Sequence, residues 1–165
     1  MGFVGLPSGE QFGRAAFLAM IPLNIAALCC VASAKGMFAG LMVCPAGLAL
    51  VLTTGLAFAQ PRKPFQLTAP QASVQLIAWF SMAAYALASL DDYDAYDSCD
   101  NSACVARMRL ETRSSSHLTD LIGWGPGRMQ LSHILESVSL YAAAFALAAL
   151  MLLLLFGLRK KERHG

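Results

Sequence analysis

Residues 137–158 read SVSLYAAAFALAALMLLLLFGL and stop against Arg159-Lys160-Lys161-Glu162-Arg163. A helix rises about 1.5 Å per residue, so this uncharged run is long enough to cross a hydrocarbon core about 30 Å thick. The basic cluster behind it gives direction, because Lys and Arg beside a span are retained on the cytoplasmic side. The run therefore reads as a transmembrane helix with its C-terminus inside, anchored by Arg159, Lys160 and Lys161.

The whole composition agrees with lipid as the solvent. Hydrophobic residues make up 57% of the 165 positions and charged residues only 13%, where soluble domains carry about 25% charged residues. Spans on this scale leave no length for a separate soluble domain, so a single membrane domain is expected. The formal charge of +2 is small and sorted by region, which argues for topology as its cause and against a nucleic-acid partner.

Counting backwards from the last run gives four spans, at about residues 15–34, 37–59, 72–90 and 135–158, and an outer loop over 91–134. The expected fold is all-α, a four-helix transmembrane bundle with one long outer loop. Ser8 is placed to cap the first helix, with Gln11 three residues on, and Arg14 is placed to snorkel at its inner end. A competing reading treats Ala32-Ser33-Ala34 as a signal-peptide cleavage site. Glu10 cancels Arg14 in the basic lead that such a peptide needs, and the longer reading, a retained span, is preferred. Only Lys35-Gly36 separates the first two spans, so they form a tight antiparallel hairpin. Pro22 and Pro45 lie well inside these spans and are expected to kink them. The proline-bounded segment Gln60-Pro61-Arg62-Lys63-Pro64 reads as an inner loop, with Arg62 and Lys63 as further anchors.

Helices in lipid associate through close backbone approach, since lipid tails are as apolar as leucine. Small residues therefore nominate contact faces. They are Ala19 and Ala26 (with Pro22, Cys30 and Ser33) on the first helix, Gly36 and Gly40 at the second, Ala78 and Ser81 (with Tyr85 and Ala88) on the third, and Ala142 and Ala146 (with Ser139 and Ala149) on the fourth. Leu150 to Leu155 reads as a bulky, lipid-facing run.

The outer loop opens with the acidic stretch Asp91 to Asp100 and continues with Arg107, Arg109, Arg113 and Arg128. Ser116 is placed to cap a short helix carrying Leu118, Leu121 and Ile122, which Gly123-Trp124-Gly125-Pro126 would end, leaving Trp124 at headgroup level. Cys99 and Cys104 are close enough to pair in a compartment that permits disulfides. Cys29, Cys30 and Cys44 sit in spans, where a thiol is usually a packing residue. The aspartates lack the Gly and distal Glu of a calcium loop and read as a solvated acidic segment.

Catalysis or charge transport at membrane depth needs ionisable groups there. Between their flanking residues the spans are free of Asp, Glu, Lys, Arg and His, so no catalytic residue, metal or cofactor is expected.

The short first outer turn, the basic inner loop, and the larger second outer loop with Cys99 and Cys104 together resemble the plan of the MARVEL group of four-span proteins. Leu6-Pro7-Ser8-Gly9 is similar to the lead of its MAL proteolipids. The resemblance implies a non-enzymatic role in ordered membrane domains, vesicle traffic or membrane apposition, in a plasma or vesicle membrane, with both termini cytoplasmic. The expected partners are membrane lipids together with a homo-oligomer or a heteromeric membrane complex. The alternative function is an accessory subunit of a larger respiratory or channel complex.

Overall fold

The computed structural model describes residues 9–35, 37–60, 66–90, 101–104, 107, 116–123 and 126–162. Its longer helices are α1 (Gly9–Ala32), α2 (Met37–Phe58) and α3 (Ala69–Ala88). The short α4 (His117–Ile122) precedes the long α5 (Pro126–Glu162). No strand occurs among the described residues. Three helices are long and apolar enough to cross a membrane: α1, α2 from Gly40 to Phe58, and α5 from Gln130 to Leu158. α3 falls outside that group because Gln71, Gln75 and Trp79 dilute its apolar run.

α3 is wedged between α1 and α5, and α2 closes the ring by resting on both of them. Its first turn is set by Pro70 and by Thr68, whose N–H donates to Gln71 Oε1 at 2.9 Å. α5 is longer than the hydrophobic run alone suggests. It starts at Pro126, a residue suited to the first helical position because its missing N–H would be unpaired there anyway. The segment before α5 therefore ends at residue 125 rather than at 134. With 37 residues, α5 spans about 55 Å, well beyond a hydrocarbon core of about 30 Å.

α4 forms where the sequence places it. Ser116 Oγ accepts from the Thr119 N–H at 3.1 Å, and Thr119 Oγ1 accepts from the Ser116 N–H at 2.7 Å. Gly123 ends the helix with φ 86°, a conformation that a side chain would strain. Arg128 donates to the Ile122 carbonyl across this turn. Ser8, Gly36, Arg62, Lys63, Cys99 and Trp124 lie outside the described residues, as do the side chains of Arg159, Lys160 and Lys161.

The ends of the bundle are tied by different bonds. At one end Gln66 Nε2 donates to the Glu10 carbonyl at 3.2 Å, and the Leu67 N–H to the Gly13 carbonyl at 3.3 Å. Gln60 Nε2 and Gln71 Nε2 donate to the carbonyls of Leu154 and Leu153 at 2.6 and 3.3 Å. At the other end Ser132 Oγ donates to the Ala88 carbonyl at 2.8 Å and bonds Ser116 Oγ at 2.7 Å. There too Ser89 Oγ donates to the Lys35 carbonyl, and Lys35 Nζ meets Asp120 Oδ2 at 2.6 Å.

Two glycines separate close packing from open space. A Cβ on Gly13 would collide with the Leu67 carbonyl oxygen, whereas one on Gly40 would meet nothing within 4 Å. The close helix approach expected at Gly40 is thus absent from the described chain, and Gly13 instead lets the 66–68 segment before α3 come close to α1. Gly13→Ala should lower stability in detergent by about 1–3 kcal/mol through overpacking. Gly40→Ala should be neutral or raise it by up to about 1 kcal/mol through helix propensity. Reversible denaturation in mixed micelles measures both, and equal effects would contradict this packing.

Candidate functional site

The interior of the bundle holds a polar cluster centred on Asn24 of α1. Trp79 Nε1 donates to Asn24 Oδ1 at 2.6 Å, and Gln75 Nε2 donates to the same oxygen at 3.1 Å. Asn24 Nδ2 donates to Thr54 Oγ1 at 2.8 Å, and that hydroxyl donates to the Leu50 carbonyl at 2.6 Å. One asparagine thereby joins α1, α2 and α3. The direction of every bond follows from Trp79, because an indole N–H can only donate. It fixes Asn24 Oδ1 as the acceptor, turns the Asn24 amide group toward Thr54, and points the Gln75 amide group at Asn24. Gln75 Oε1 is left as a buried oxygen without a partner, on a residue with no exposure at all.

Residues 71, 75 and 79 recur every four positions, so Gln71, Gln75 and Trp79 form one stripe along α3. All three are buried. Of the polar cluster, the sequence alone marks Asn24 as polar at depth. A further signal is the i, i+4, i+8 spacing of two glutamines and a tryptophan within one span.

Asn24 also decides which face of α1 is inward. Gly13, Ala16, Phe17, Met20, Ala27 and Val31 are buried on its side. Ala26 follows Asn24 by about 200° of helical turn and is exposed, as is Pro22, while Ala19 is half-buried. The expected face through Ala19, Pro22 and Ala26 is therefore corrected by roughly half a turn. Burying Asn24 with three partners outweighs burying a row of small apolar side chains that lipid solvates equally well.

The other nominated faces fare differently. Ala78 and Ala146 are buried, and Ser81 and Ala142 are half-buried. Leu150 and Leu154 are 1% and 0% exposed, so the run from Leu150 to Leu155 supplies core as well as outer surface. Arg14 is exposed on α1, near the end where the 66–68 segment docks. Cys104 N–H donates to Asn101 Oδ1 at 2.8 Å. Among the described residues the free thiols are Cys29, Cys30 and Cys44. With Cys99 outside the described residues, its pairing with Cys104 stays a proposal. No group of metal-binding side chains occurs among the described residues.

Between α2 and α5 lies an apolar cavity of about 330 Å³. Its floor is Val31 of α1 with Met82 and Tyr85 of α3, and its walls carry Ala46 and Ala49 on one side and Ala143 and Leu147 on the other. The floor residues are buried, while Pro45, Ala144 and Ala148 at the rim are exposed. The cavity is thus a slot that opens sideways out of the bundle between α2 and α5. A sealed, empty void of 330 Å³ would cost of order 8 kcal/mol at about 24 cal/mol per Å³. An open slot avoids that cost when surrounding molecules fill it.

Asn24→Leu should destabilise the protein by about 2–4 kcal/mol, because it strips the partner from Trp79, Gln75 and Thr54 at once. Gln75→Leu should cost under about 1 kcal/mol, since it removes one bond together with an oxygen that has none. Thermal or denaturant unfolding in detergent ranks the two. Equal losses would mean that Asn24 is not the hub.

Comparison with protein families, curated proteins and solved structures finds no match for this chain.

Proposed function

We propose that the chain is a four-span membrane protein that works by lateral association within the bilayer, organising or stabilising membrane without chemistry of its own. Its outer loop, residues 99–130, serves as the recognition surface. The observation that carries this reading is how polarity is distributed. The side chains of Asn24, Thr54, Gln75 and Trp79 in α1, α2 and α3 are bonded to one another, while the outward faces carry large apolar residues such as Leu18, Leu48, Phe80, Phe145 and Phe156. Such a surface interacts with acyl chains and other helices through shape and dispersion.

α3 is counted as the fourth span on two grounds. Its 20 residues cover about 30 Å, enough for one crossing. It also runs between α1 and α5 with both ends bonded to α5 and its Gln75 and Trp79 bonded to Asn24 of α1, so it crosses wherever they cross. With Arg159, Lys160 and Lys161 inside, the segment 60–68 and both termini are cytoplasmic, and α4 and the Cys99–Cys104 loop lie outside. The MARVEL-like plan, a plasma or vesicle membrane, and the disulfide belong to this proposal.

A second reading, an accessory subunit of a larger membrane complex, draws on Ala26, Gly40 and Gly55. These small residues face outward, and nothing lies within 4 Å of a Cβ built on either glycine. Small residues on an outward face allow a partner helix to come close. Purification in mild detergent separates the two readings: the organiser elutes alone or as a homo-oligomer, and the subunit elutes in a stoichiometric heteromer.

Topology has its own test. Tags inserted at Pro64 and after Gly165 should be protected from external reagents in sealed cells, and a tag at Ser115 should be labelled. Labelling of the Gly165 tag would overturn the orientation. Peptide mapping without reductant should find Cys99 joined to Cys104, and two alkylated thiols would contradict the bond.

A further inference from the structure

The slot between α2 and α5 has a size, a lining and an opening that together select what enters it. We propose that it is a binding site for a single hydrocarbon chain of a membrane lipid, which enters sideways between Ala46 and Ala144 and ends against Met82 and Tyr85. The inference rests on the bundle spanning the bilayer and goes beyond it by naming an occupant.

The slot is about 330 Å³, apolar and open along its side, a shape that a flexible acyl chain fills without ordering a second polypeptide. Apolar cavities of about 150 Å³ take up benzene-sized molecules, so a slot more than twice that size accommodates a longer run of methylenes.

The chemistry of the lining excludes a polar ligand. The hydroxyl of Thr53, on the slot wall, is spent on the carbonyls of Ala49 and Leu50 at 2.9 and 3.1 Å. Among the described residues Gln75 Oε1 is the one buried side-chain oxygen or nitrogen without a partner, and Gln75 does not line the slot. The slot therefore presents no polar atom that a headgroup must satisfy. Lipid surrounds the rim at the concentration of a solvent, so a weak intrinsic affinity is enough to keep the slot filled by mass action.

Trp79 lies one turn from Met82 on α3, which provides a reporter. In a Trp124→Phe background it is the remaining tryptophan. The protein is reconstituted in phosphatidylcholine vesicles with brominated acyl chains and, as reference, in the unbrominated lipid. A chain seated against Met82 quenches Trp79 although that side chain is only 8% exposed. Ala144→Phe and Ala46→Phe, on opposite walls of the slot, should each fill it and reduce the quenching at least about twofold. Ala15→Phe on the exposed side of α1 should leave it unchanged, and an unaltered thermal midpoint shows that each variant is folded. Absence of quenching, or quenching that neither slot variant changes, would overturn the proposal. Either result leaves the spans intact, whereas failure of the spanning reading appears in the same samples as protein that does not enter the vesicles. Loss of quenching in the parent protein together with cross-linked dimers would place a second copy at this seam and also overturn it.

Discussion

A polar side chain at membrane depth must find its partners inside the protein, and in this chain that constraint falls on Asn24. Lipid gives helices no hydrophobic reason to associate, so an amide that would be costly to leave bare becomes a fixed point for assembly. Asn24 takes donors from Trp79 and Gln75 and gives one to Thr54. The rotation of α1, the inward stripe of α3 and the register of α2 all follow from those contacts. Individual bonds of this kind contribute only about 0.6 kcal/mol on average in membrane bundles. Three sharing one residue act through the cost of separating them together.

How far the fold is legible in the sequence depends on which physical signal each part carries. The uncharged run ending at Arg159 marks its own helix, because length and the lack of charge are properties of a single segment. Ser116 and Gly123 mark α4 for the same reason, capping being local. Which face turns inward is a property of pairs. Small-residue spacing on α1 points to Ala19 and Ala26, but Ala26 is exposed and Asn24 is buried on nearly the opposite side. Residues 71, 75 and 79 have the spacing of a buried stripe, yet their importance rests on a partner 51 residues away from Gln75. Hydropathy marks where apolar character begins, whereas α5 itself begins earlier, at Pro126. The slot has no sequence signature at all, since it is the space left where Ala46 and Ala49 face Ala143 and Leu147.

The two ends and the middle of the bundle divide its work. Glutamines 60, 66 and 71 bond backbone carbonyls at one end, and serines 89, 116 and 132 do so or bond each other at the other. Asn24 secures the middle of three helices. The seam between α2 and α5 has no such central bond among the described residues, and it is there that the bundle opens sideways. The place where the bundle opens sideways is thus one without a side-chain bond between its two helices among the described residues. That relation connects the way the bundle is held together with the proposed lateral mode of action.

The most direct test of this account is a double-mutant cycle on Asn24→Leu and Trp79→Phe, with unfolding free energies measured in detergent. Residues that share a bond and a network are non-additive, while unconnected ones add to within about 0.3–0.5 kcal/mol. The account predicts a favourable coupling of about 1 kcal/mol or more, because the second substitution removes a donor that the first has already deprived of its acceptor. Additive effects of the two substitutions would contradict it.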